Sequence, residues 1–477
     1  MKVSVNRIVV IFFLFFLMVS VCAQTVFAQS SEENKNGFKI TKDTVLNVGL
    51  SITPEYESNI TKASEKTTEE DRIAGSGPQK VGTVSDLILH YSPSIRIKLD
   101  DMNKTVGFSV FFDYNHYLGL QDESTSKKLS DLDIKSDFIG EFNKKGVVFF
   151  EFDNRFSRSA NPDGQDLSGR YKNILDTFAI ALGIKNLEDT LMIKIKTGVD
   201  FNYYEESKDI AAYKDYNYVS FVGDIFGRWK FLPKTMVFLN AAYRYQEYYE
   251  SSIRSDSRSM PFNVFAGLMG QITPHISAKL SAGYSASFSK DTKHDYNANA
   301  EFIFKYGKTT FFNVGYLRNM LPSSYFQYYS THRLYMNFKQ KFARVFLAKL
   351  DFSYSFLEFG PQIEFNSSDY TFNTGTGAYE KATVTNVYGT YDYSVMVSGG
   401  KRNDQLMMLN PSISYNILSW LGLKLSYELE YRTSDYDKTV RGTFTDAVNA
   451  DNNYDRIVHT YYDFINHKVL LNIALDY

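Results

Sequence analysis

Residues 421–431 read LGLKLSYELEY. Leu421, Leu423, Leu425, Tyr427, Leu429 and Tyr431 recur at every second position, with Gly422, Lys424, Ser426, Glu428 and Glu430 between them. Successive side chains of a strand point to opposite faces, so this stretch is a strand with one apolar and one charged side. Residues 191–203 repeat the pattern, with Leu191, Ile193, Ile195, Val199, Phe201 and Tyr203 against Lys194, Lys196, Asp200 and Asn202. Residues 87–99 do so again through Leu87, Leu89, Tyr91, Ile95, Ile97 and Leu99. A soluble sandwich also uses such strands, but its strands run ~5–6 residues, whereas these segments run about 12–16.

The connections settle the architecture. Short ones fall near 100–104, 143–146, 186–190, 232–235, 273–275, 306–309, 342–345 and 418–420. Long ones fall near 58–82, 119–129, 160–170, 206–214, 252–258, 290–295, 321–327, 360–402 and 436–461. Short turns alternating with long loops are the habit of an outer-membrane barrel. The count predicts an all-β, transmembrane, antiparallel up-and-down barrel of about 18 strands, within 16–20. A hairpin hidden in 360–402 would raise it to twenty. Both termini then lie on the periplasmic, short-turn side. Closure follows from the solvent: in hydrocarbon every backbone N–H and C=O must be paired within the protein, and only a closed sheet has no edge. Pro54, Pro93, Pro261 and Pro411 fall inside strands and mark bulges or strand ends there.

Composition excludes other classes. The chain has 477 residues, with 52 Lys and Arg against 54 Asp and Glu. A nucleic-acid partner would call for a basic excess. One cysteine rules out a disulfide scaffold. Only the N-terminus carries a long apolar run, which excludes a helical transporter. That run, Ile8–Val21, follows Lys2 and Arg7 and precedes Val26-Phe27-Ala28, so 1–28 reads as a secretory signal peptide. A membrane anchor, or a lipoprotein modified at Cys22, is the alternative. Residues 29–42 form a polar, disordered N-terminal segment and 43–477 the outer-membrane barrel. At the other end Val469, Leu471, Ile473, Leu475 and Tyr477 alternate up to a terminal aromatic. That pattern resembles the signal by which barrel-assembly machinery recognises its substrates.

The first mature strand, 45–60, reads VLNVGLSITPEYESNI and ends in Tyr-x-Ser-Asn; 86–93 reads DLILHYSP. These two stretches resemble the opening strands of the beta-barrel porin 2 family of Gram-negative outer membranes. The resemblance implies a channel associated with exopolysaccharide or surface-polymer export. It carries no site residues.

Catalytic chemistry is not legible. Seven histidines are present, none at metal-ligand spacing from another, and no phosphate-binding glycine loop or EF-hand occurs. His332 or His459 beside a rim serine such as Ser330 is the arrangement an outer-membrane hydrolase would use. The expectation is no enzyme, no cofactor and no metal. The inward faces are more informative. Strand periodicity turns Lys185, Lys194, Lys196, Arg228 and Lys230 into the lumen as a basic wall near the periplasmic mouth, with Lys194 opposite Arg228. The preceding hairpin contributes Asp133, Asp137, Glu141, Glu151 and Asp153. A barrel this wide leaves an aqueous lumen, so the leading expectation is a porin-like channel for hydrophilic solutes. The alternative is a closed barrel acting through its extracellular loops as an adhesin or surface-assembly partner. The absence of a plug domain before Val45 argues against a TonB-dependent receptor. Expected partners are outer-membrane lipid, lipopolysaccharide, the assembly machinery and polysaccharide.

Overall fold

The computed structural model describes residues 38–66, 83–120, 129–159, 172–205, 217–249, 260–288, 292–321, 323, 328–343, 345–360, 370–373, 378–381, 384–386, 389–398, 402–435, 437–446 and 453–476. The export segment 1–28 and Tyr477 lie outside them. In chain order the strands are β1 (Phe38–Thr41), β2 (Thr44–Glu57), β3 (Asp86–Asp100), β4 (Lys104–Tyr117), β5 (Asp131–Phe142), β6 (Val148–Ser159), β7 (Asn173–Lys185) and β8 (Leu191–Tyr204). They continue as β9 (Tyr218–Leu232), β10 (Thr235–Tyr248), β11 (Pro261–Thr273), β12 (Ile276–Ser287), β13 (Lys293–Tyr306), β14 (Thr310–Leu321), β15 (Tyr329–Phe342) and β16 (Phe346–Phe359). The remainder are β17 (Tyr370–Asn373), β18 (Ala378–Lys381), β19 (Val384–Asn386), β20 (Gly389–Ser398), β21 (Asn403–Leu418), β22 (Leu421–Ser434), β23 (Asp437–Asp446), β24 (Asn453–Tyr461) and β25 (Phe464–Asp476).

Strands β2 to β16 each pair antiparallel with the next. The ladder then runs β16–β21–β22–β25, and β25 pairs back onto β2, closing an 18-strand barrel. Eight tight connections gather at one end, and the pair Gly49↔Asp476 brings the start of β2 and the end of β25 there too. The strands inside 360–402 add nothing to the wall. They belong to a second sheet ordered β17–β18–β20–β23–β24, with β19 on β20. Within it β20, β23 and β24 pair in the same order as β21, β22 and β25, the wall strands they adjoin in the chain. Ser398↔Asp437 follows Asp404↔Ser434, and Asp437↔Tyr461 follows Arg432↔Phe464. The wall's pairing is thus carried past the barrel on the long-loop side.

Two local expectations change. Phe38–Thr41, placed by composition in the disordered polar segment, forms β1 and pairs with the start of β2 through Phe38↔Leu46. That stretch of β2 runs past the end of β25 and would otherwise be a bare edge. The prolines also behave differently. Pro261 opens β11 as expected, but Pro54, Pro93 and Pro411 sit in unbroken register with Leu89, Leu50 and Leu350, without bulges. Each lacks a pairing only toward its other neighbour. The missing donor therefore opens a gap in one ladder. Two of the gaps are bridged by side chains: Asn472 Nδ2 donates to Thr53 Oγ1 at 2.7 Å, and Ser92 Oγ to Asp113 at 2.8 Å.

Closure gives the sheet two faces. Large apolar side chains stand out on one: Leu182 is 52%, Ile195 56% and Trp229 56% exposed. Such a belt is stable only against lipid, and it marks the outer face of an outer-membrane barrel. Leu471, Ile473 and Leu475 of β25 belong to the same exposed set and share its face with Val469. The inner face is polar, and its two ends differ. Near the long loops Asn202, Tyr204, Gln246, Ser355 and Leu357 are buried. Loop segments there turn inward. Ile60 packs with Val84, Ile88, Tyr117 and Leu129. The Asn59 amide donates to the carbonyls of Ala63 and Ile465, and Lys62 pairs with Glu430 at 2.8 Å. Ser58 and Asn59 of the Tyr-x-Ser-Asn motif thus tie the first loop to the last strand. The Tyr248 hydroxyl of β10 donates to the Ser323 carbonyl after β14.

Candidate functional site

The periplasmic half of the inner face holds most of the expected charges. In the register of β6, β7 and β8, Glu151 stands opposite Ala181 and Ala181 opposite Lys196; Phe149, Gly183 and Lys194 form the next row. Ala179 and Ala181 are buried beneath the charged side chains around them. Because β7 presents Ala179, Ala181 and Gly183 on this face, lysines from β8 reach across it to β6. Lys194 Nζ lies 3.1 Å from Glu151 and Lys196 Nζ 2.7 Å from Asp153, each one row along. A Cβ at Gly183 would come within 2.0 Å of the Phe149 ring, so the ring as placed relies on glycine there. Lys185 donates to the Lys144 carbonyl at 2.6 Å and lies over the same ring.

Arg228 and Lys230 of β9 converge on a carboxylate that periodicity could not supply. Asp189 lies in the turn 186–190, at 2.6 Å from Arg228 and 2.7 Å from Lys230. The turn is built by Asn186, whose side-chain oxygen accepts from the backbone N–H of Thr190 and Leu191. Asp189 takes φ 53°, a left-handed conformation that Asp tolerates better than most residues. The hydrogen bond from Lys230, with that from Arg228, holds its carboxyl below the usual carboxylate range.

The basic wall and the acidic hairpin are therefore joined in part: Glu151 and Asp153 pair with Lys194 and Lys196, while Asp189 of the turn pairs with Arg228 and Lys230. Lys194 is not opposite Arg228: the register pairs Lys194 with Phe226, Met192 with Arg228 and Lys196 with Asp224. Counting equal distances from the turns misplaces the partner by two residues, because strands in a tilted barrel are staggered. On β5, Asp137 is opposite Arg155, Glu141 opposite Glu151, and Asp133 accepts from the Asn115 amide at 3.1 Å.

Other clusters were not foreseen. His90 sits 3.2 Å from both Glu55 and Asp113. At the loop end Asp404 is fully buried between Arg402 and Arg432, and Arg402 is sandwiched between the rings of Phe359 and Tyr462 at 4.4 and 4.0 Å. This brace fixes β21 to β22 where the second sheet begins. Single-strand periodicity shows none of these, because each draws on residues from separate elements. The rim Ser–His arrangement does not form at Ser330: its hydroxyl donates to Asp295 at 2.7 Å, while His332 lies beside Tyr316 and Arg318. His459 lies in β24 opposite Thr439. Among the described residues no group of three or more His, Cys, Asp or Glu side chains is placed to hold a metal.

Comparison with protein families returns no match, so the porin 2 resemblance finds no support there. Comparison with curated proteins returns none either. Among solved structures the chain is similar to the outer membrane protein OpdK of Pseudomonas aeruginosa, with 9% identity over 91% of this chain and 99% of that one, TM-score 0.41. It is also similar to the siderophore receptor PirA of Acinetobacter baumannii, with 7% identity over 92% and 81%, TM-score 0.41. A third is the FrpB iron transporter of Neisseria meningitidis, with 9% identity over 90% and 82%, TM-score 0.39.

Proposed function

We propose that this outer-membrane barrel is a porin-like channel for hydrophilic solutes, narrowed toward the cell exterior. The observation that carries the reading is the charged inner face of an 18-strand wall, with Lys194, Lys196, Arg228 and Lys230 partly accessible near the tight turns. A ring of 16–18 strands is too wide for side chains to fill, so these charges stand in water. Insertion by the assembly machinery through the β25 pattern, and contact of the outer belt with lipid and lipopolysaccharide, belong to the same reading. Export of a polysaccharide is its finer form and rests on the resemblance at 45–60 and 86–93. Single-channel recording of the refolded mature protein tests it: steady ohmic steps are expected, and a silent bilayer containing folded barrel would refute it.

A second reading is favoured by the buried loop-side half and the second sheet: a closed barrel that meets a surface partner through its loops. Excising 366–398 discriminates. A partner-binding barrel loses surface binding with no change in current, whereas a several-fold rise in conductance makes that segment the constriction of a channel.

A further inference from the structure

A second cationic sector lies elsewhere on the inner face. Lys305 at the end of β13, Lys308 in the turn 307–309, Lys339 and Lys341 on β15 and Lys349 on β16 line a cleft of about 390 Å³ together with Phe311. The register places Lys339 directly opposite Lys349, and Phe311 directly opposite Lys339. Like charges directly opposite across strands are destabilising. Among the described residues none of the five lysines makes an ion pair. The carboxylate on the same face of β16, Asp351, stands two residues beyond Lys349 and opposite Asn337. Phe311 packs under the Lys339 ammonium, at 5.6 Å from its ring centre, and softens the repulsion without neutralising it.

We infer that this cleft binds a multivalent phosphate-class oxyanion at the periplasmic mouth. Five ammonium groups on a concave wall are compensated best by one ligand that carries several charges, because a single binding event relieves every pairwise repulsion. The described lining contains lysines and no arginine. Arginine's planar fork matches carboxylate and phosphate bidentately, whereas lysine is a flexible point charge with no planar preference, so a cluster of lysines suits a compact tetrahedral oxyanion approached from several sides. Thr310 directs its hydroxyl to Gln340 at 2.7 Å, so the polar rim of the cleft is already ordered. The inference stands whether or not the lumen conducts.

The test is equilibrium binding of pyrophosphate to the detergent-solubilised mature protein at low salt, followed by titration calorimetry. Saturable binding of about one pyrophosphate per barrel is expected, weakening steeply as salt rises. The double variant Lys339→Gln/Lys349→Gln should weaken it at least tenfold. Lys339→Arg/Lys349→Arg, which keeps the charge, should stay within about threefold of wild type. Lys98→Gln, a periplasmic-end lysine on another part of the wall, should leave it unchanged. Heat-modifiable migration shows that each variant is folded. Equal affinity in the wild type and the folded Gln double variant, or no saturable binding by the wild type, would overturn the site. Repeating the titration in nanodiscs identifies the source of the phosphoryl group. Affinity equal in phosphatidylcholine and phosphatidylglycerol points to a soluble phosphate; competitive loss in phosphatidylglycerol points to a lipid headgroup. Both outcomes retain the site.

Discussion

Lys194 and Lys196 on β8, and Lys339 and Lys349 across β15 and β16, lie near the tight turns on the same inner face, in settings that differ in two respects. In the first sector a row reads Phe149, Gly183, Lys194, and the strand between carries nothing larger than alanine beside it, so each lysine crosses to a carboxylate. In the second a row reads Lys305, Phe311, Lys339. An aromatic ring stands where the glycine stood, and no carboxylate waits beyond it. The number of cations is not what distinguishes the two walls. The volume of the side chain on the intervening strand, and the residue type one strand further on, decide whether charge is cancelled or stored.

The largest effect that would break this contrast is steric. Ala181→Phe places a ring beneath Lys194 and Lys196, as Phe311 lies beneath Lys339. Overpacking should cost ~1–3 kcal/mol in urea unfolding from liposomes. A variant as stable as the wild type would show that the lysines do not need β7 to be small. Next, Ser412→Glu gives the second sector what the first already has, a carboxylate opposite Lys349. Pyrophosphate affinity should fall about tenfold, equivalent to ~1.4 kcal/mol, as read by calorimetry. Unchanged affinity would mean that Lys349 does not contribute to the cleft.

A smaller effect comes from Asp189→Asn, which frees Arg228 and Lys230. These partners are partly solvated, so stability should change by no more than ~1 kcal/mol. The reversal potential in a potassium chloride gradient should move toward anions as the first sector comes to resemble the second. The smallest effect is that of pH. Asp189 is held below the ordinary carboxylate value by Lys230 and Arg228, so its stabilising contribution is complete above about pH 3.9 and is lost as pH falls through its lowered value. The part of any rise in anion selectivity that is due to Asp189 should therefore appear only on acidification below the usual carboxylate range, and Asp189→Asn should remove that part.

The barrel was legible because its evidence is periodic and local. Alternation in stretches such as 191–203 and 421–431 requires only that neighbours on one strand face opposite ways, and the turn and loop lengths supply the strand count. What could not be read depends on stagger between strands. The partner of Lys194 is Phe226, two residues from the place that counting gave, since tilt offsets each strand from the next. Asp189 was hidden because a turn residue has no face until the turn folds. The five-lysine cleft was hidden because its members come from β13, β15, β16 and the turn 307–309. Phe38–Thr41 looked like a tail because β1 is only four residues long and is stabilised by the edge it covers.

The β2–β25 ladder has a consequence for how the ring comes into being. Asn59 and Asn466, bonded at this junction, are 407 residues apart in sequence. By ideal-chain scaling the length-dependent cost of bringing such distant positions together is on the order of 5 kcal/mol. Every other wall pair is formed by nearer neighbours. Until Phe464–Asp476 is in hand, the nascent sheet has two raw borders, one on β2 and one on β22, and each is a template for the wrong chain. Pro54 leaves a break in this ladder, as Pro93 and Pro411 do in theirs, and Asn472 and Thr53 span it. Ring closure is thus the wall contact with the largest entropic cost, and without β25 the borders of β2 and β22 have no partner in the wall.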